Sequence, residues 1–179
     1  MLLVHACCGP CAITVFRELL GQGEDVLGFY YNPNIHPLAE YLRRRDALRQ
    51  VGERLEVPLV VADAEYDPVQ FLRLAAFREK DRCGSCYELR LDRAAREAKS
   101  QGCTAFTSTL LYSKYQDHQA IRDAGEAAGR THGVPFFYQD FRPGWEEGIR
   151  LSKEWELYRQ PYCGCIYSEF DRYRKKLGR

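Results

Sequence analysis

Seven of the eight cysteines in this 179-residue chain lie in three short groups. The groups are Cys7-Cys8-x-x-Cys11, Cys83-x-x-Cys86 and Cys163-Gly164-Cys165. Paired thiols at such spacings can hold zinc, hold an iron–sulfur cluster or act as a redox pair. Seven thiolates exceed the four that one tetrahedral zinc needs. The pattern therefore indicates either two metal centres or a four-iron cluster with additional reactive thiols.

The third group differs from the other two because only Gly164 separates its thiols. Cys163 and Cys165 are close enough in sequence to form a strained small-ring disulfide, which would be reduced easily. This spacing indicates either a redox-active dithiol or a ligand pair for a second metal, with two unreactive thiols as the alternative. The eighth cysteine, Cys103, stands alone before a predicted strand, and we interpret it as buried packing.

Each cysteine group precedes a segment with helical periodicity, at residues 12–20, 86–100 and 166–177. The free N–H groups and the dipole at a helix N-terminus stabilise a thiolate. Further helices are predicted at 38–55, 69–77, 116–128 and 145–158, and strands at 2–5, 26–31, 58–62, 104–107 and 135–138. On the helix at 38–55, the polar face carries Arg43, Arg44 and Arg45.

Alternation of strands and helices predicts an α/β fold, in which helices flank a parallel sheet and the C-terminal part is helical. The chain shows no internal repeat and no linker composition, so we expect a single domain over residues 1–179. The first cysteine group follows the first strand. It therefore lies at the carboxyl edge of the sheet, where open parallel sheets bind their ligands.

The composition is that of a globular protein, with 45% hydrophobic and 28% charged residues, which excludes a disordered chain. Twenty-six basic residues balance twenty-five acidic ones, so a polyanion would need a local basic patch. The sequence contains neither a signal-peptide pattern nor an apolar run of about 18 residues. We expect a cytoplasmic protein without a membrane partner, whose cysteines are ligands or catalytic thiols rather than structural disulfides.

Four segments together form a specific pattern, although no single cysteine pair is specific. They are HACCGPC at 5–11, RCGSCY at 82–87, TSTL at 107–110 and LYRQPYCGCIYS at 157–168. The combination resembles the cobalamin-independent epoxyqueuosine reductases of the QueH type, over residues 2 to about 170. The resemblance implies a Rossmann-like sheet related to the adenine-nucleotide alpha-hydrolases. The loop at 7–11 replaces the phosphate-binding loop of the relatives that use ATP, which argues against ATP use.

The resemblance also implies a reaction, the reduction of epoxyqueuosine to queuosine at the wobble position of tRNA. This last step of queuosine synthesis would use a [4Fe-4S] cluster, an adjacent mononuclear iron and an unidentified electron donor. The matching positions give the expected cluster ligands, Cys7, Cys8, Cys83 and Cys86. Cys163 and Cys165 become the expected redox-active pair. Cys11, an aspartate in some family members, is expected to bind either the cluster or the second iron.

Proton donors and tRNA contacts follow less directly from the pattern. His118 is the expected proton donor because histidine titrates near neutral pH, with a surface position at a helix start as the alternative. His5 can orient a ligand or lie in the core. Candidate side chains for tRNA phosphates or bases are Arg43, Arg44, Arg45, Arg142, Lys153, Arg159, Arg172, Arg174, Lys175, Lys176, Tyr162 and Trp145.

Two other functions fit part of the pattern. A tRNA sulfur transferase can combine this fold with an iron–sulfur cluster, but the missing phosphate loop counts against it. A zinc-binding module without enzymatic activity is disfavoured by the number of thiols and by their distribution over a full α/β sheet.

Overall fold

All neighbouring strands of the central sheet run parallel in the computed structural model, which describes residues 1–178. The strands are β1 (Leu2–His5), β2 (Val26–Tyr30), β3 (Leu59–Val61) and β4 (Ala105–Ser108), in the order β3-β2-β1-β4. Leu2 of β1 lies opposite Val26 on one side and Ala105 on the other. The predicted α/β fold with a Rossmann-like parallel sheet is thereby confirmed.

Helices connect the strands and cover the sheet. They are α1 (Gly9–Gly21), α2 (Leu38–Leu55), α3 (Pro68–Ala75), α4 (Arg82–Ser100), α5 (His118–His132), α6 (Trp145–Glu154) and α7 (Ile166–Tyr173). Helix α1 buries Ile13, Phe16 and Leu19, as its helical spacing predicts. Among residues 1–178, every helix is too short or too polar to cross a membrane.

The predicted strand at 135–138 does not form. Its residues pair with β4 only at Phe136, through bonds from Phe106 N to Pro135 O (3.1 Å) and from Phe137 N to Phe106 O (2.7 Å). Pro135 has no N–H group, so it cannot extend the ladder as a donor. The segment is instead held against α5, where Gly125 lies under the Phe136 ring.

Several helix boundaries also differ from the prediction. Helix α4 begins at Arg82, so Cys83 and Cys86 lie within its first two turns rather than before it. Helix α6 ends at Glu154, and Glu156 soon after it has a positive φ of 54° that no helix contains. Helix α7 ends at Tyr173 and continues as a 3-10 turn, Arg174–Leu177.

Helix α2 departs from its predicted amphipathic pattern at Arg44. This side chain was expected on the polar face, but it is 1% exposed and lies among the largest buried side chains of the protein. A buried ion pair with Glu40, one turn earlier, balances its charge. Arg44 is therefore wrong as a candidate for tRNA contact, because its guanidinium does not reach solvent.

Candidate active site

The first cysteine group lies where β1 gives way to α1. The chain leaves the sheet after His5, Cys8 caps the N-terminus of α1 in an extended conformation, and Cys11 falls in the first turn of the helix. The Sγ atoms of Cys7, Cys8 and Cys11 lie within 4.8 Å of one another. Across residues 1–178, no other three His, Cys, Asp or Glu side chains converge in this way.

A close approach of two helices fixes this turn. A Cβ atom on Gly9 would lie 2.5 Å from the carbonyl oxygen of Ala47 in α2. Only glycine therefore lets the start of α1, which carries Cys8 and Cys11, pack so near to α2.

The three thiols, which we call the cysteine triad, differ in their tendency to ionise. Donated hydrogen bonds from the thiols of Cys11 and Cys8 lower the pKa of Cys7, and the Thr109 hydroxyl, 3.4 Å from its Sγ, contributes further. Burial raises the pKa of Cys8, and the bond to Cys7 raises the pKa of Cys11. Three converging sulfurs are a donor set that fits a thiophilic metal, whose charge favours loss of the thiol protons.

The second cysteine group lies at the start of α4. Cys83 is exposed, whereas Cys86 is buried in a small apolar cluster with Phe71, Ala75 and Cys165. Burial raises the pKa of Cys86 to about 12. The structure thus brings the second cysteine group into contact with the third one. It does not bring Cys83 and Cys86 to within metal-sharing distance of the cysteine triad.

The third cysteine group precedes α7. Cys165 caps this helix, and its Sγ accepts a hydrogen bond from Ser168 N (3.4 Å). Cys163 is exposed, and its Sγ accepts a bond from Gln116 Nε2 (3.5 Å). All eight cysteines carry free thiols, so the disulfide between Cys163 and Cys165 stays a prediction.

A cavity of about 780 Å³ joins the first and third groups. Its wall includes Cys11, Cys163, Tyr112, Trp145, Arg159 and Tyr162. The rings of Tyr112 and Trp145 stack with their centroids 5.1 Å apart. The cavity therefore combines thiols, an aromatic wall and a cation, which is the chemistry expected of a site for a polar aromatic ligand.

Two further candidate functional residues, Gln160 and Arg90, were not predicted from the sequence. Gln160 Nε2 lies 2.9 Å from Cys8 Sγ and 3.4 Å from Cys11 Sγ, so this amide covers the cysteine triad. Arg90 is 2% exposed, and its Nε donates to the carbonyl of Cys86 (3.2 Å). Its position, four residues after Cys86 on the apolar face of α4, is the one sequence signal for a buried cation beside the thiols.

The two candidate histidines have different placements. His5 is fully buried, and its ring nitrogens bond Ser108 Oγ (2.9 Å) and Tyr31 O (3.0 Å). Burial, with the Arg90 charge, lowers its pKa to about 4, so the ring is a neutral link between strand ends. His118 begins α5 and packs edge-on against Tyr138, outside the wall of the cavity.

The basic candidates for tRNA contact differ in whether their charge is free at the cavity or is bound by a carboxylate. Arg159 and Arg172 are exposed and line the cavity, and the aromatic candidates Tyr162 and Trp145 line it too. Arg45 is bound by Asp46 and Asp63, and Arg142 by Asp140 (2.6 Å). The cations free to meet a polyanion at the cavity are therefore fewer than the sequence alone predicts.

Comparison with known proteins shows the family of this chain. The family model described as "Epoxyqueuosine reductase QueH" matches residues 2–171. The chain belongs to the epoxyqueuosine reductase QueH family. Membership confirms the resemblance carried by the four sequence segments, and a QueH family protein with free thiols at a cavity is a candidate for redox chemistry at that cavity.

Curated QueH relatives match almost the whole chain. The epoxyqueuosine reductase QueH of Dehalococcoides mccartyi is 34% identical, over 97% of this chain and 95% of the relative. The QueH proteins of Thermotoga maritima and Acinetobacter baylyi are each 35% identical, over 97% and 99% of this chain and 92% and 85% of the relatives. The matched length in each case is nearly the full length of this chain.

Proposed function

We propose that this protein, an oxidoreductase of the QueH family, reduces epoxyqueuosine to queuosine in tRNA. The observation that carries the proposal is the cavity whose wall holds Cys11 of the cysteine triad and Cys163 of the third group. A volume of about 780 Å³ lies within the usual range for sites that enclose a small ligand. One modified nucleoside, turned out of the anticodon loop, is a ligand of this size.

The reaction has a defined electron balance. Removal of the epoxide oxygen as water leaves an alkene and consumes two electrons and two protons. The thiols of Cys163 and Cys165 can supply both when they join as a disulfide, and an external donor then restores the dithiol. When bound, an iron–sulfur cluster with an adjacent iron would supply single-electron transfer and Lewis-acid polarisation of the C–O bonds.

The chain's own residues define where that chemistry would occur. The converging sulfurs of Cys7, Cys8 and Cys11 support a metal-binding role for the cysteine triad. Family resemblance pairs Cys83 and Cys86 with Cys7 and Cys8 as the four cluster ligands and leaves Cys11 to the cluster or the second metal, although the second cysteine group does not lie within sharing distance of one ion with the triad. Gln116 holds Cys163 through an N–H···S bond and is itself held by the Tyr87 hydroxyl (2.7 Å). Since His118 does not line the cavity, the thiols of the third group are the proton sources in this proposal.

Substrate binding in this proposal uses the aromatic wall and the cations of the cavity. Trp145 and Tyr162 offer ring faces for a splayed base, and stacking of this kind is typical of recognition in single-stranded RNA loops. Arg159 and Arg172 are placed to contact the neighbouring phosphates.

The test is conversion of tRNA that contains epoxyqueuosine, under anaerobic conditions with a chemical reductant and without ATP. The tRNA is digested to nucleosides, which are separated by chromatography and identified by mass spectrometry. We expect queuosine from the wild-type protein and from the Cys103→Ser variant, but none from Cys163→Ser. Colourless wild-type protein with one bound zinc and no conversion would overturn the proposal, as would tRNA that gains sulfur instead of losing the epoxide oxygen.

A further inference from the structure

A segment without regular structure carries the third cysteine group. Residues 158–165, which we call the cysteine strap, form neither helix nor strand between α6 and α7. The strap nevertheless presents Gln160 to the cysteine triad and Cys163 to Gln116. Because no ladder or helix fixes its backbone, the polar groups of the strap must be held by other parts of the protein.

Arg44 of α2 holds the middle of the cysteine strap. Its Nη1 donates to the carbonyl of Cys163 (2.7 Å) and its Nη2 to the carbonyl of Tyr162 (2.9 Å). Its Nε donates to Glu40 Oε1 (2.7 Å), so each of the three nitrogens has a partner. A guanidinium has this fork geometry and an ammonium does not.

Glu40 ties a second point of the strap to the same buried pair. The Tyr158 hydroxyl donates to its other carboxylate oxygen, Oε2. The side chains of Arg44 and Glu40 are only 1% and 5% exposed, so each ion depends on the other for its counter-charge. Loss of either partner would leave a buried charge unpaired.

The loop before α2 supplies the remaining contacts. His36 N donates to the carbonyl of Gly164 (2.8 Å), and the Tyr162 hydroxyl donates to the carbonyl of His36. Gly164 has a φ of 151°, and a Cβ atom there would lie 3.1 Å from Ile35 and 3.4 Å from Arg44 Nη1. The backbone at Gly164 therefore sits directly on α2 and its preceding loop.

We propose that Arg44 is a positioning residue of the active site, whose guanidinium, balanced by Glu40, fixes the cysteine strap so that Cys163 faces the cavity and Gln160 covers the cysteine triad. The catalytic meaning of that position rests on the proposed function, in which Cys163 is a redox thiol. The position of the strap and of Cys163 can be measured by amide exchange and alkylation, which do not require conversion of tRNA.

The experiment compares Arg44→Met and Arg44→Lys with a matched control, Arg93→Met. Arg93 lies on α4, is also mostly buried and also bridges two acidic partners, Glu65 and Glu97, at 2.6 and 2.8 Å. All proteins are prepared anaerobically with their bound metal. Amide hydrogen exchange over residues 158–165 and the rate of Cys163 alkylation are followed by mass spectrometry.

We expect amide exchange in the strap and alkylation of Cys163 to rise at least about tenfold in Arg44→Met, since two backbone carbonyls and Glu40 lose their partner. Arg44→Lys is expected to show nearly the same rise in exchange and alkylation as Arg44→Met, because one ammonium group cannot replace the forked guanidinium. In the tRNA assay, kcat should fall about tenfold or more with a smaller change in KM, as for a group that orients a reacting thiol. Arg93→Met should lose thermal stability but keep the wild-type exchange in the strap.

Should Arg44→Met fail to fold, Arg44→Lys keeps a positive charge beside Glu40 and tests the loss of the fork alone. Tyr158→Phe tests the second tie of the strap with less disruption, because it removes only one bond to Glu40. We expect about threefold faster exchange in the strap for that variant. Wild-type exchange and alkylation in a folded Arg44→Met or Arg44→Lys variant would overturn the positioning role of Arg44, and wild-type exchange in Tyr158→Phe would overturn the part of Glu40 in holding the strap. Wild-type protein that cannot convert the tRNA would overturn the proposed function and leave the exchange result standing.

Discussion

At the scale of single residues, the cysteine triad shows how far type and spacing predict chemistry. The convergence of Cys7, Cys8 and Cys11 follows from a strand end and a helix start, both visible in the sequence. The roles of Gln160, Arg90 and Arg44 do not follow, because burial of a polar side chain depends on partners far along the chain. Arg44 stands between two other arginines, and only its contact with the cysteine strap distinguishes it.

A first prediction concerns Cys11. Replacing it with serine removes one of three convergent sulfurs, so anaerobically purified Cys11→Ser is expected to contain less iron and to absorb less visible light than the wild type. Elemental analysis and the visible spectrum measure this. Cys103→Ser is the matched control, since both cysteines are 8% exposed but Cys103 lies outside the triad. Equal iron in the two variants would remove Cys11 from the ligand set.

A second prediction concerns the acid sensitivity of His36. This side chain is buried, its ring 5.6 Å from that of Phe71, and burial lowers its pKa below the ordinary value of 6.5. The unfolded chain therefore takes up a proton at a higher pH than the folded one. The folded state loses stability as the pH falls below about 6.5.

Urea denaturation at pH 7.5 and pH 5.5 measures this effect. The wild type should lose more stability between the two pH values than His36→Asn does. Identical slopes for the wild type and His36→Asn would show that His36 does not contribute.

At the scale of elements, the approach of α1 to α2 connects packing with the site. Gly9 is the contact point, and it lies between Cys8 and Cys11 of the cysteine triad. The hydrophobic periodicity predicts both helices, and the bounds of α2 agree with the predicted 38–55. The close contact itself is invisible in the sequence, because a glycine after two cysteines is also typical of a loop.

A third prediction tests the contact between α1 and α2 by making the same substitution, glycine to alanine, at each end of α1. Gly9→Ala should lower the free energy of unfolding by about 1–3 kcal/mol and reduce bound iron, because the new methyl group would overlap the backbone of α2. Gly21→Ala at the other end of α1 meets no atom within 4 Å, so its stability should stay equal or rise by under about 1 kcal/mol. Urea denaturation and iron analysis distinguish them, and equal losses in both variants would contradict the packing argument.

Elements were mispredicted where tertiary contacts outweigh local pattern. The apolar run at 135–138 is typical of a strand, yet Pro135 limits it to one bridge. The apolar periodicity of 145–158 continues past the true end of α6, where Leu157 is buried in the core outside any helix. Periodicity reports burial, and burial alone does not specify a helix.

At the scale of the whole molecule, a formal charge of +1 conceals an uneven distribution. Two arginines at the cavity are exposed, while others are bound by carboxylates. Association with a polyanion must therefore depend on the rim of the cavity rather than on the field of the entire protein.

A fourth prediction follows for tRNA. Arg159→Gln and Arg172→Gln should each weaken binding of an anticodon stem-loop and reduce the slope of log K against log salt by about 1, as expected when one phosphate contact is lost. Fluorescence anisotropy over a salt series measures both quantities. Arg122→Gln serves as control, since that side chain is exposed on α5 and pairs with Glu126. If all three variants keep the wild-type slope, tRNA does not meet the protein at this rim.

The contact between Gln160 and Cys8 spans 152 positions of the chain. A ribosome that adds about 5–20 residues per second needs roughly 8–30 s to make that stretch. Throughout this interval the N-terminal thiols exist without the amide that covers them. The thiols of the nascent protein are therefore accessible to oxidants and to metal ions until the cysteine strap and α7 have been made.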